Sequence, residues 1–137
     1  MKRLLGPDAL DKNLAALLLR ILVGGLMIMH GWPKLANYDQ YVAEFNPIGL
    51  GNDLSLSLAI FGEFICGIFL VLGFMTRLST IPVLITMIVA FFVVHAADPF
   101  QIKELSFLYM GLVIVIFFLG SGKYSADALL FKKKSLE

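Results

Sequence analysis

Cys66 is the one cysteine in this 137-residue chain, which excludes an internal disulfide, a CxxC redox pair and a four-thiolate cluster within a single copy. Charge is scarce too. Asp, Glu, Lys and Arg together make up 15% of the residues and the net charge is +1, so there is no basic stripe for nucleic acid. Histidine occurs twice. A phosphate-binding loop, a dinucleotide-binding fingerprint and a serine nucleophile elbow are all missing. These absences remove nucleotide-driven, serine-hydrolase and single-chain thiol chemistry from consideration.

What the chain has in excess is apolar surface: 59% of residues are hydrophobic and mean hydropathy is +0.88, outside the usual range of soluble domains. Four segments carry the excess, at about 13–31, 54–73, 78–96 and 104–120. Crossing a bilayer core of roughly 30 Å takes a helix of about 20 residues, and each segment approaches that length. The runs are continuously apolar rather than alternating, which favours helices over a transmembrane barrel. The expected fold is therefore an all-α integral membrane protein, a four-transmembrane-helix bundle in one membrane domain. Lys2 and Arg3 precede the first run in the manner of a leader, but no small-x-small pattern follows, and HGWPKL comes instead; the segment is expected to remain as a span.

Basic residues divide unequally between the two sides of such a bundle. Lys2, Arg3, Lys12, Arg77, Lys123 and the run Lys132, Lys133 and Lys134 fall on one side, and Lys34 and Lys103 on the other. By the positive-inside rule both termini are cytoplasmic, and a bacterial cytoplasmic (inner) membrane is the expected location. The FKKK run reads as a topology anchor on anionic lipid. Within the outer loop, 33–53, Tyr38, Tyr41, Val42 and Phe45 share helical spacing. They predict a short amphipathic interfacial helix, either an anchor at the headgroup level or a lid over a cavity between the spans, with Asn37 as its cap and Asn52 or Asp53 capping the second span.

Arg20 and Glu63 are the charges that fall inside apolar runs, and an ionisable residue at bilayer depth needs a partner or a role. Arg20 lies roughly 10 Å, and Glu63 roughly 15 Å, from the cytoplasmic ends of their spans at 1.5 Å per residue. The expectation is that they pair, either as a clamp between the first two spans or as the polar wall of a cavity. Ala59, Gly62, Cys66 and Gly67 flank Glu63 with small side chains, which turns that face towards another helix.

His30 and His95 each fall about 26 Å from the cytoplasmic side, where they could meet. Trp32, Lys34 and Glu104 lie nearby in sequence. This set could in principle hold a two-histidine, one-carboxylate metal site or a bis-histidine haem, or supply acid and base groups for quinol oxidation. Histidines at span ends more often serve as interfacial hydrogen-bonding groups, so no metal is assigned and haem is disfavoured.

The ordered set LLRILVGGLMIMHGWPKL, FGEFICGIFLVLGFMTR, a histidine closing the third span and GSGKYSAD after the fourth resembles the DoxX family of small four-helix bacterial membrane proteins. That resemblance implies a subunit associated with quinol oxidation or with thiosulfate:quinone oxidoreductase. It places Arg20, His30, Gly31, Lys34, Glu63, Arg77, His95, Gly120, Gly122 and Asp127 on the family pattern. The expected function is thus a membrane subunit of a quinone-linked oxidoreductase system, with quinone as the ligand and a redox partner protein supplying electron transfer. Arg20, His30, Trp32, Lys34, Glu63, His95 and Glu104 are the candidate ligand-binding residues, and Glu63, His30 and His95 the candidate catalytic ones. A carrier or binding module for a small solute or lipid is the alternative, as is an assembly or anchoring subunit. The expected partners are the lipid bilayer and a second copy in a homodimer, with no nucleic acid.

Overall fold

The computed structural model describes residue 4 and residues 6–131. Lys2, Arg3 and the Lys132–Lys134 anchor lie outside the described residues. Among the described residues there are helices and turns and no strand. The long helices are α1 (Lys12–Ala36), α3 (Asn52–Leu72), α4 (Thr76–Val94) and α5 (Phe100–Leu119), each long and apolar enough to cross a membrane. Two short helices accompany them, α2 (Tyr38–Val42) in the loop after α1 and α6 (Ala126–Phe131) after α5.

The four long helices run alternately up and down and close into a ring. Helix α1 packs on α3, α3 on α4, α4 on α5, and α5 back on α1. All four contribute to the shared core of Val23, Met27, Cys66, Leu70, Val83, Met87, Tyr109, Val113 and Ile116. The outward faces stay apolar, with Leu18, Leu22, Ile81, Ile85, Leu108 and Phe118 among the exposed side chains, as expected where lipid replaces water as the solvent. With the DoxX resemblance, this makes the chain a multi-pass membrane protein.

Helix α1 and helix α3 make the closest contact. A Cβ added at Gly24 would stand 2.6 Å from the Gly67 carbonyl oxygen, and one at Gly31 would stand 2.6 Å from the Phe64 nitrogen. Backbone-to-backbone approach of this kind is what small residues permit between membrane helices, where dispersion replaces the hydrophobic effect as the attraction.

Two helices contain a turn of π-helix, at Phe61–Ile65 in α3 and Ala90–Val94 in α4. Such turns are uncommon and gather at functional sites. The caps differ from the sequence expectation. Asn37 precedes α2 without a side-chain cap bond, and its amide donates instead to the Pro33 carbonyl at 3.1 Å, closing α1. Gly51, with φ of 95°, is the residue before α3. Its N–H is satisfied by the Asn46 side chain at 3.1 Å, so neither Asn52 nor Asp53 is the cap. Asn52 donates to the Ala43 carbonyl at 3.0 Å instead.

Candidate functional site

The buried polar groups form two separate centres at opposite ends of the bundle. At the end that carries Lys12, Arg77 and Lys123, here the basic end, Arg20 is fully buried. Its Nη1 donates to the carbonyls of Leu70 at 3.2 Å and Val71 at 3.4 Å, and its Nη2 to that of Tyr124 at 2.5 Å. Carbonyls at a helix C-terminus lack intrahelical donors, so the last turn of α3 is a natural acceptor for a guanidinium fork. Gly73 follows in a left-handed conformation with φ of 68°, and any Cβ there would run into the Arg20 guanidinium.

Asp127 completes this junction. Its carboxylate accepts the N–H of Met75 at 2.7 Å and of Thr76 at 3.0 Å, occupying the place of an N-cap for α4 from a distant segment. The Asp127 N–H donates to the Gly73 carbonyl at 2.9 Å. Met75 has a positive φ of 46°, which a non-glycine residue adopts only under constraint, and Asp127 supplies that constraint. Arg77 donates from Nε to the Phe117 carbonyl at 3.0 Å, and Gly122 lies against Ala16 and Asn13 with no room to spare for a Cβ. The junction therefore gathers Arg20, Arg77, Gly120, Gly122 and Asp127, half of the positions that the family pattern picked out.

The second centre lies at the other end, beneath the loop. Glu63, presented by the π-turn of α3, forms an ion pair with Lys34 of α1. Glu63 is buried and Lys34 partly so. Lys34 stands in the last turn of α1, and helical side chains lean back towards their own N-terminus, so its stem descends into the bundle rather than rising to water. The pair forms part of the wall of a cavity of about 520 Å³ between α3 and α4. The remaining wall is largely apolar, including Ala59, Val89 and Ala90, with Thr86, Ser55 and His95 as further polar members. The Thr86 hydroxyl is already committed to the Pro82 carbonyl at 2.8 Å. Both π-turns contribute to this cavity, through Phe61 and Glu63 on one side and Ala90 and Val94 on the other.

The expected Arg20–Glu63 pair is not formed: the two residues belong to different centres. Equal depths would require helices with flush ends, whereas α1 overhangs. Arg20 meets the last turn of α3 and Gly31 faces Phe64, so Arg20 is level with the end of α3 and Glu63 with the far half of α1. The interior polar groups accordingly line no single cavity, since Arg20 is absent from the wall that holds Glu63.

Of the candidate ligand-binding residues, Lys34, Glu63 and His95 are brought to the cavity. Arg20, His30, Trp32 and Glu104 are elsewhere. His30 is exposed and meets the Tyr109 ring edge to face, with centroids 5.9 Å apart. Trp32 is exposed and leans on Phe64. Glu104 is exposed on α5. His95 shares a hydrogen bond of 2.7 Å between Nδ1 and Asp98, so the two histidines keep different neighbours. No group of three or more His, Cys, Asp and Glu side chains converges among the described residues.

Of the loop segment read as an interfacial anchor or a lid, Phe45 reaches the site. Phe45, Pro47 and Ile48 close the cavity from above. Only the turn-forming Pro47, Gly49 and Gly51 in the sequence hinted at a chain reversal there.

Comparison with known proteins bears on these centres. A Haemophilus influenzae protein described as uncharacterized is 32% identical over 122 residues, 84% of this chain and 90% of that protein. A Bacillus subtilis protein named "Putative oxidoreductase CatD" is 28% identical over 123 residues, 89% of this chain and 91% of that protein. No solved structure matches. The DoxX family model matches residues 15–96, a stretch that holds Arg20 with its Leu70 and Val71 acceptors, Lys34 with Glu63, and the helices that wall the cavity. More than half of the sequence and the paired groups of both centres thus agree on one assignment: the chain belongs to the DoxX family.

Proposed function

We propose that this protein is the membrane subunit of a quinone- or quinol-linked oxidoreductase system, and that the cavity beneath the loop holds the quinone ring. The observation that carries this reading is the Lys34–Glu63 pair on the wall of an otherwise largely apolar cavity. A volume of about 520 Å³ lies within the range of small-molecule sites, which combine apolar walls with a few placed polar groups. Lys34 offers a charged donor to a ring carbonyl oxygen, and Glu63 an acceptor to the hydroxyl of the reduced ring. Oxidation of a quinol releases two protons and two electrons. Glu63 is positioned to take one proton, the second leaves to bulk water, and the two electrons pass to a redox centre of a partner protein.

The name of the Bacillus subtilis relative supports an oxidoreductase association. The gathering of Lys12, Arg77 and Lys123 at one end supports placing that end at the cytoplasmic face of a bacterial inner membrane, with the cavity near the opposite face.

The test is binding of a water-soluble, tail-less benzoquinol, kept reduced, to the purified protein in lipid nanodiscs, measured by titration calorimetry. Glu63→Gln removes a charged acceptor worth about 1.5–3 kcal/mol, so affinity should fall about tenfold or more. Equal affinity in the variant and the parent would remove Glu63 from the site and this reading with it.

A further inference from the structure

The cavity has two unequal approaches, and the difference bears on what its ligand must look like. From the loop side it is roofed by Phe45, Pro47 and Ile48, and that roof is tied down. The Asn46 side chain accepts the Gly51 N–H at 3.1 Å, Asn52 donates to the Ala43 carbonyl at 3.0 Å, and the Tyr38 hydroxyl donates to the Asp53 carboxylate at 3.2 Å. These bonds hold the loop to the start of α3.

The flank has no such cover. Leu58, Phe61 and Ile85 line the cavity while remaining 48%, 46% and 56% exposed, so they form a mouth rather than an inner wall. All three lie within membrane-spanning helices, Leu58 and Phe61 on α3 and Ile85 on α4. At 1.5 Å per residue the mouth opens roughly 9–14 Å below the loop end of those helices, at the depth of the hydrocarbon. A polar solute from water would meet the tied roof. A molecule dissolved in the bilayer would meet an apolar groove leading to an ion pair.

We infer that the cavity takes its ligand sideways from the bilayer, and that the ligand is a lipid-borne amphiphile whose ring sits at Lys34 and Glu63 while its apolar tail lies in the groove between α3 and α4, across Ile85 and Leu58. This rests on the ring assignment proposed above and adds the tail, its path and its contacts. Placing the tail in the groove gives a lipid-facing home to the apolar part of the molecule, and the ring alone crosses into the bundle. The polar end then meets the buried pair without carrying water with it.

The experiment compares two probes in nanodiscs, both kept reduced, a dimethoxy-methyl-benzoquinol with a decyl tail and the same ring without a tail, each measured against the parent protein, Ile85→Trp and Ile114→Trp. Tryptophan at residue 85 fills the mouth. Residue 114 is equally lipid-facing, 45% exposed, and distant from the cavity lining, so it controls for the substitution itself. Loss of a few methylene contacts predicts that Ile85→Trp weakens the tailed probe by about tenfold. The tail-less ring should stay within about twofold, and Ile114→Trp should change neither probe. Leu58→Trp, on the opposite rim, repeats the test if Ile85→Trp does not fold.

Unchanged affinity of the tailed probe in the mouth variant would overturn the inference, and would show that a phospholipid chain or nothing at all occupies the groove. Equal weakening of both probes would also overturn it, by putting the ring at the mouth. In both cases a tail-less ring that still depends on Glu63 leaves the ring assignment standing. Failure of the parent protein to bind either probe would end both.

Discussion

The two ends of this bundle each draw a basic side chain inward, Arg20 fully buried and Lys34 partly so, and they use it in opposite ways. At the basic end, the Arg20 fork is spread over three backbone carbonyls from two segments, and Asp127 is spent on two backbone N–H groups. At the loop end, Lys34 and Glu63 meet one another directly, and both also face the void of the cavity. A buried charge whose partners are backbone groups fixes the chain, and Arg20 keeps only its Nε–H without a partner. A side-chain pair on a cavity wall keeps donors and acceptors in reserve. The contrast separates structure from function more sharply than the mere presence of charge in an apolar run.

The largest effect that would test this division is expected from Arg20→Ala. It leaves the Val71 and Tyr124 carbonyls without this donor, while the Leu70 carbonyl keeps the Gly73 N–H, at about 1–3 kcal/mol for each unsatisfied group, and it opens a cavity at a fully buried side chain, so a loss of about 3 kcal/mol or more should appear in unfolding measurements in micelles. Arg20→Lys should not restore it fully, since a single ammonium cannot reproduce the planar fork. A fully stable Arg20→Ala protein would erase the contrast.

Next in size is the loop-end pair. Lys34→Met leaves Glu63 without its partner at bilayer depth, where an unpaired charge costs about 2.5–3.5 kcal/mol on insertion scales. The double variant Lys34→Met with Glu63→Leu should recover most of that stability while remaining unable to bind a tail-less quinone. A double variant that stays as unstable as Lys34→Met would mean that the pair holds the helices together rather than serving the cavity. The smallest effect is expected from Asp127→Asn, which keeps one acceptor for the start of α4 and gives up the charge. A cap of this kind is worth about 1 kcal/mol, read as a modest fall in unfolding temperature with quinone binding unaltered.

Most of the architecture was legible in the sequence because lipid imposes a simple rule: about 20 apolar residues in a row, satisfied as helix. That Lys12, Arg77 and Lys123 share one end of the bundle was legible for the same reason. Partner choice was not. Arg20 and Glu63 looked matched because their depths were measured from ends assumed to be level, and the overhang of α1 is a tertiary fact that no single span reveals. Lys34 near a span end reads as a snorkelling residue, and only the backward lean of helical side chains explains why it descends to Glu63. The two π-turns leave no periodicity to find, since one extra residue in a uniformly apolar run changes no pattern. The GSGKYSAD segment carried a real signal, but its meaning was structural. Gly122 and Asp127 belong to the basic-end junction, and the Tyr124 carbonyl is the third acceptor of Arg20.

That third acceptor also sets an order for assembly. As the chain leaves the ribosome, α1 and α3 can associate as a hairpin through Gly24, Gly31 and Gly67, and Arg20 then finds the carbonyls of Leu70 and Val71. Its remaining bond waits for Tyr124, which arrives only after α4 and α5 have been inserted. The last-made segment of the bundle therefore locks the first-made pair, and a chain truncated before Tyr124 would carry an arginine that is only partly satisfied.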